Sequence, residues 1–92
     1  AVIGDDLMPI AETVRAAGVT EMASGAALPP KLLSMNAYLG ARPVAEALAA
    51  GADIVVTGRC VDSAVALGPL IHEFGWKADD YDRLAAGSLA GH

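Results

Sequence analysis

The chain has 92 residues, with six Lys and Arg against eleven Asp and Glu, and a formal net charge of −5. That length allows one domain. The cations Arg15, Lys31, Arg42, Arg59, Lys77 and Arg83 are scattered with no basic stripe, which excludes nucleic-acid binding through phosphates. No apolar run reaches the ~18–20 residues of a membrane span, no signal peptide pattern is present, and a single cysteine, Cys60, permits neither an internal disulfide nor a Cys-rich zinc site.

The predicted elements, in chain order, begin with Val2-Ile3 as the end of a buried strand. Gly4-Asp5-Asp6 turns the chain, and either Asp can cap the helix that follows. Apolar residues at Leu7, Ile10, Ala11 and Val14 recur at helical spacing and predict an amphipathic helix over 7–17. Pro9 falls in its first turn, where a missing N–H is tolerated, and Gly18 ends it. Residues 19–22 read as a short strand, and Ser24-Gly25 with Pro29-Pro30 mark a loop. Residues 31–35 read as a second strand candidate, broken by Asn36 to Gly40. Pro43 suits the first turn of a helix over 42–50, whose apolar face is Val44, Ala45 and Leu48 and whose stop is Gly51.

Residues 53–57, Asp53-Ile54-Val55-Val56-Thr57, form the clearest strand expectation: consecutive β-branched residues suit burial on both faces of a parallel sheet. A loop of Gly58-Arg59-Cys60-Val61 leads to a helix capped by Asp62 or Ser63 and running to about Phe74, with a kink expected at Pro69. Asp79 opens a last helix through Tyr81, Leu84 and Leu89, broken near Gly87. Strand and helix alternate, so the expected fold is α/β, a Rossmann-like parallel sheet with flanking helices. Residues 1–92 then form a single partial domain.

Hydrophobic residues make up 54% of the chain and the mean hydropathy is +0.45, although a chain this short buries only about 60–65% of its unfolded surface. The excess predicts that apolar surface packs on another copy or on the rest of a longer chain. Ala1-Val2-Ile3 at one end and Gly91-His92 at the other agree with a fragment of a longer protein.

In an open parallel sheet, ligands bind beyond the carboxyl ends of the strands. The loops at Gly4-Asp5-Asp6, Asn36 to Gly40 and Thr57 to Ser63 are expected to converge at that edge. Asp5 and Asp6 are candidates for a general base or a Mg²⁺ ligand, with a helix cap plus a solvated acid as the alternative. Asn36 can present its amide to a ligand or make a local turn. Tyr38 is a site donor or a core aromatic. Arg59 either pairs with Asp5, Asp6 or Asp62 or receives an anionic ligand, and Gly58 lets the backbone approach that ligand. Asp62 and Ser63 are further ligand-binding candidates, with helix capping as the simpler role.

His72 lies about 13 Å along the same helix from Ser63 at 1.5 Å per residue. That is too far to serve a nucleophilic Ser63 as its base. Cys60 beside Arg59 has a route to a lowered thiol pKa, against the ordinary role of a small packing residue. No dinucleotide, P-loop or nucleophile-elbow motif is present, so no nucleotide cofactor is expected.

Four strings carry a family resemblance: Gly4-Asp5-Asp6-Leu7, Asn36-Ala37-Tyr38-Leu39-Gly40-Ala41, the run from Gly51 to Arg59, and the run from Gly68 to Trp76. With the tail from Asp80 to His92 they resemble the AtuA-like proteins of acyclic terpene utilisation. The resemblance implies a cytosolic bacterial protein of several hundred residues, of which this is an internal piece. It implies work near the catabolism of acyclic terpenes or related branched acids, including CoA esters. Two functions follow as expectations: a segment that binds a carboxylate or CoA-linked small molecule, or a non-catalytic self-associating module.

Overall fold

Helices form where the sequence punctuates them. The computed structural model describes residues 1–92. A 3-10 turn at Met8–Ile10 precedes α1, Ala11–Ala16. Pro9 sits in the 3-10 turn, where its absent N–H leaves no bond unmade. Gly18, at φ +69°, takes the left-handed conformation that stops the chain from continuing as helix. α2 spans Arg42–Ala49, with Pro43 in its first turn and Gly51 at φ +88° beyond its end. α3 spans Ala64–Phe74 and continues through Pro69 as one helix, closing on a left-handed Gly75. α4 spans Tyr81–Gly91 and runs unbroken through Gly87. No helix is long and apolar enough to cross a membrane.

The helices α2, α3 and α4 form one layer with α3 in the middle. Close backbone approach sets both contacts. A Cβ on Gly68 of α3 would lie 2.6 Å from the Cβ of Val44 and 3.2 Å from the carbonyl of Ala41. On the other side, a Cβ on Gly87 of α4 would lie 2.8 Å from Leu67 and 2.9 Å from Trp76. The uninterrupted α4 therefore owes its shape to packing: Gly87 is buried, and burial outweighs the ~1 kcal/mol helix penalty of glycine.

The Rossmann-like parallel sheet with flanking helices is not present. Extended pairing is limited to isolated bridges, Val2 with Thr57 and Leu39 with Cys60 in parallel, and Asp6 with Asn36 and Thr20 with Ala27 antiparallel. The strand expected over 53–57 contributes only Thr57 to a bridge. Ile54 is 82% exposed and Val56 67% exposed, the reverse of burial on both faces. The strand candidates at 19–22 and 31–35 likewise reduce to Thr20 and to the neighbour of Asn36.

The cause is the absence of neighbours. A strand is stable through partners on its edges and layers on its faces, and each segment here meets another for about one residue. Gly4 at φ +113° bends the first segment away directly after Ile3. Pro29-Pro30 removes two backbone donors just before the second. No backbone N–H from Ile54 to Thr57 finds an acceptor within the protein.

The core is correspondingly small. Its apolar members are Val2, Ala41, Val44, Ala45 and Ala64. The radius of gyration is 15.9 Å, against about 12 Å expected for a compact chain of this length. Met22, Leu33, Ile3 and Leu89 stand in solvent.

Candidate functional site

Asp5, Asn36 and Arg59 come together even though the sheet that was expected to assemble them is missing. Three short backbone links do this. Val2 accepts the N–H of Gly58 at 2.9 Å and donates to Val56 at 2.8 Å. Asp5 accepts the N–H of Ala37 at 2.8 Å, and Leu7 donates to Met35 at 2.9 Å, so the first and second segments run antiparallel. Leu39 donates to the carbonyl of Arg59 at 3.2 Å and accepts from Val61 at 2.9 Å. The meeting of segments 2–7, 35–40 and 56–62 thus rests on six main-chain hydrogen bonds.

At the centre lies the carboxylate of Asp5. It accepts the side-chain amide of Asn36 at 3.0 Å and packs against the bare Cα of Gly58, where any Cβ would collide with it. The backbone N–H of Arg59 is the main influence that lowers the pKa of Asp5 below 3.8, helped by the Asn36 amide and the Arg59 charge and opposed by partial desolvation. A carboxylate held in its charged form by several donors is a poor proton acceptor near neutral pH. Asp5 therefore acts as a latch across three segments. Gly58 is required by this contact, not by an unusual φ.

Asp6 points elsewhere. Its Oδ1 accepts the N–H of Met8 at 3.0 Å, fixing the entry to the 3-10 turn. Its only polar partner is therefore not shared with Asp5, and no three ligand-type side chains gather anywhere in the fold. The two adjacent carboxylates thus aim at different partners.

Arg59 is exposed and forms no ion pair; the ion pairs present are Arg15 with Glu12 and Arg83 with Asp80. Its guanidinium carbon sits 5.4 Å from the ring centroid of Tyr38, within cation–π range. Asp5, Asp6 and Asp62 form no ion pair with its side chain, although the Arg59 charge reaches Asp5.

Asp62 and Ser63 do not join this group. Asp62 is exposed, and Ser63, at the cap position of α3, makes no side-chain capping bond. The Ser63 backbone lies against Gly91 of α4, so Ser63 belongs to a helix crossing. Cys60 has its sulfur 3.7 Å from the Thr57 hydroxyl, its side-chain hydrogen-bond partner.

Sequence reasoning missed two features. One is an apolar concavity of about 550 Å³ among α2, α3 and α4, lined by Leu48, Pro69, Leu70 and Phe74 with His72 and Glu73 beside them. It lies apart from Arg59 and holds no paired acid and base. Only the helical spacing of Ala66, Pro69, Leu70 and Glu73 hinted at a shared face. The other is the Arg15 clamp, which donates to the carbonyls of Leu28 at 3.1 Å and Pro29 at 3.0 Å and so fixes the loop ahead of the second segment.

The model of the acyclic terpene utilisation family protein AtuA matches residues 1–92. No curated protein and no solved structure matches the chain. Because the family match spans the whole chain, the protein belongs to the acyclic terpene utilisation (AtuA) family.

Proposed function

We propose that this chain supplies an anion-receiving surface, centred on Arg59, for a small molecule handled in acyclic terpene utilisation. The carrying observation is the unpaired Arg59 guanidinium resting on Tyr38. A guanidinium with one face on an aromatic ring keeps its in-plane N–H groups free for a carboxylate or phosphate. Tyr38 adds an exposed side chain whose hydroxyl can donate to a bound anion, while the Asn36 amide is already engaged by Asp5. Asp5 and Gly58 hold the backbone that presents Arg59. The function is thus binding and orientation; no nucleophile–base pair accompanies it.

Isothermal titration calorimetry on the full-length protein with acetate and with inorganic phosphate tests this reading. Binding of at least one anion is expected, weakened tenfold or more by Arg59→Ala. Binding unchanged by that substitution removes the reading.

A second reading, self-association, is favoured by the exposed Ile54 and Val56 and by the unpartnered backbone donors beside them. Sedimentation decides it: an Ile54→Lys, Val56→Lys variant is expected to be monomeric where the parent associates. A parent that is itself monomeric at all concentrations rules self-association out.

A further inference from the structure

The charge around Arg59 restricts which anion can be received. Segments 2–7, 35–40 and 56–62 carry one cation, Arg59, against three carboxylates, Asp5, Asp6 and Asp62. Asp5 is held in its charged form by the Arg59 main chain and the Asn36 amide, so its negative charge persists beside any ligand. Of the other cations, Arg15 is engaged by Glu12 and two carbonyls and Arg83 by Asp80, while Lys31, Arg42 and Lys77 lie outside these segments. The whole chain carries −5. A ligand bearing several negative charges would gain one attraction and meet repulsion from the Asp5 carboxylate, which already feels the Arg59 charge.

A ligand with a single planar carboxylate loses little by comparison. It can take the two parallel N–H bonds that suit the guanidinium fork. The same three segments also expose Ile3 at 84%, Val56 at 67%, Tyr38 at 60% and Val61 at 40%. Of these, the Tyr38 ring lies directly against the guanidinium and offers an apolar face to the body of a ligand held there.

Building on the anion reading above, we infer that the Arg59 surface selects monocarboxylates with an apolar body and discriminates against phosphate and coenzyme A thioesters. A thioester has lost the carboxylate that the fork recognises and carries its charge on phosphates instead. The chain would then act on a free acid, before activation to a thioester or after its hydrolysis.

The test is isothermal titration calorimetry on the full-length protein with hexanoate, acetate, hexanoyl-CoA and inorganic phosphate, repeated on Arg59→Ala and Arg59→Lys. Hexanoate is expected to bind at least tenfold more tightly than phosphate and hexanoyl-CoA, and several-fold more tightly than acetate. Arg59→Ala should weaken it tenfold or more. Arg59→Lys, which keeps the charge and loses the fork, should fall between. Phosphate or hexanoyl-CoA binding through Arg59 as tightly as hexanoate overturns the selectivity while leaving the anion surface intact. Equal affinity for acetate and hexanoate overturns the apolar contact. No Arg59-dependent binding of any of the four overturns the anion reading itself, and this inference with it.

Discussion

The α2–α3–α4 layer and the latch around Asp5 are built from opposite materials. In the layer, small residues let helix backbones approach: Gly68 meets Val44 and the Ala41 carbonyl, and Gly87 meets Leu67 and Trp76. In the latch, single hydrogen bonds tie segments that never pair for more than about one residue, and a glycine makes room for a carboxylate. Stability therefore resides in the layer, and the arrangement of Arg59 resides in the latch. The lesson is that a side-chain constellation can be set by local polar contacts without an underlying sheet.

Gly68 offers the largest break in that comparison. Gly68→Leu puts a branched side chain where even a Cβ approaches Val44 at 2.6 Å and backbone at 3.2 Å. Overpacking of this kind costs about 1–3 kcal/mol, occasionally more, which lowers the melting temperature by roughly 4–8 °C per kcal/mol for a domain of this size. Thermal denaturation followed by circular dichroism checks it. Anion binding by the fraction still folded should be unchanged, since no latch contact involves α3 beyond its first turn.

Gly58→Ala should do the reverse. Its Cβ would fall on the Asp5 carboxylate and push it from the Asn36 amide and the Arg59 main chain. Helix content should be retained, while Arg59-dependent anion binding drops several-fold. Asp5→Ala loses the same positioning of Arg59 but also removes a carboxylate that repels the anion, so its loss should be no larger than that of Gly58→Ala, and the double variant should match Asp5→Ala because both remove the same contact. Additive losses would mean that Gly58 serves something other than Asp5.

Gly87 sharpens the comparison within the layer itself. A Cβ there would meet only the ends of Leu67, Leu70 and Trp76, at 2.8–3.3 Å. Those side-chain ends can shift, whereas the Ala41 carbonyl facing Gly68 is backbone. Gly87→Ala gains up to about 1 kcal/mol of helix propensity, which offsets the repacking. The expected change in denaturant midpoint is within about 1 kcal/mol of zero, while Gly68→Ala should be clearly destabilising. Equal losses at both sites would show that α4 is fixed as rigidly as α2.

How much of this could be read from the sequence divides along the same line. α2 and α3 were legible because their signals are local: Pro43 and Gly51 bracket one, and Gly75 closes the other. The strands were misread for the complementary reason. The β-branched run at 53–57 reports a preference for a pleated, half-buried surface, but whether a partner lies alongside is decided elsewhere in the chain. The meeting of Asp5, Asn36 and Arg59 was legible as a convergence of loops, yet the antiparallel sense of the Asp6–Asn36 bridge was not. The stacking of Arg59 on Tyr38 depends on the Leu39–Cys60 bridge, which no local pattern announces. Asp62 and Ser63 looked like cap residues, and their side chains form no cap.

The smallest expected effect lies outside both regions, in the turn closed by the Thr20–Ala27 bridge. The carboxylate of Glu21 accepts the N–H of Ala23 at 2.9 Å, and also the N–H and hydroxyl of Ser24. These donors favour the charged form and lower the Glu21 pKa from 4.5 to about 2, the Ser24 hydroxyl most of all. A carboxylate lowered on folding contributes stability above its unfolded pKa and loses it as pH falls toward the folded value. Between pH 4.5 and about 2, the unfolded chain takes up this proton before the folded one does. Stability should therefore decline with acid across that window. Glu21 is exposed, and water screens the contribution, so the decline should be shallow and confined to this turn. A carboxyl shift titration by NMR should place the Glu21 midpoint near 2 in the parent and nearer its ordinary value in Ser24→Ala. A midpoint near 4.5 in both would mean the turn is open in solution, leaving only the helical layer and the Asp5 latch as ordered parts to compare.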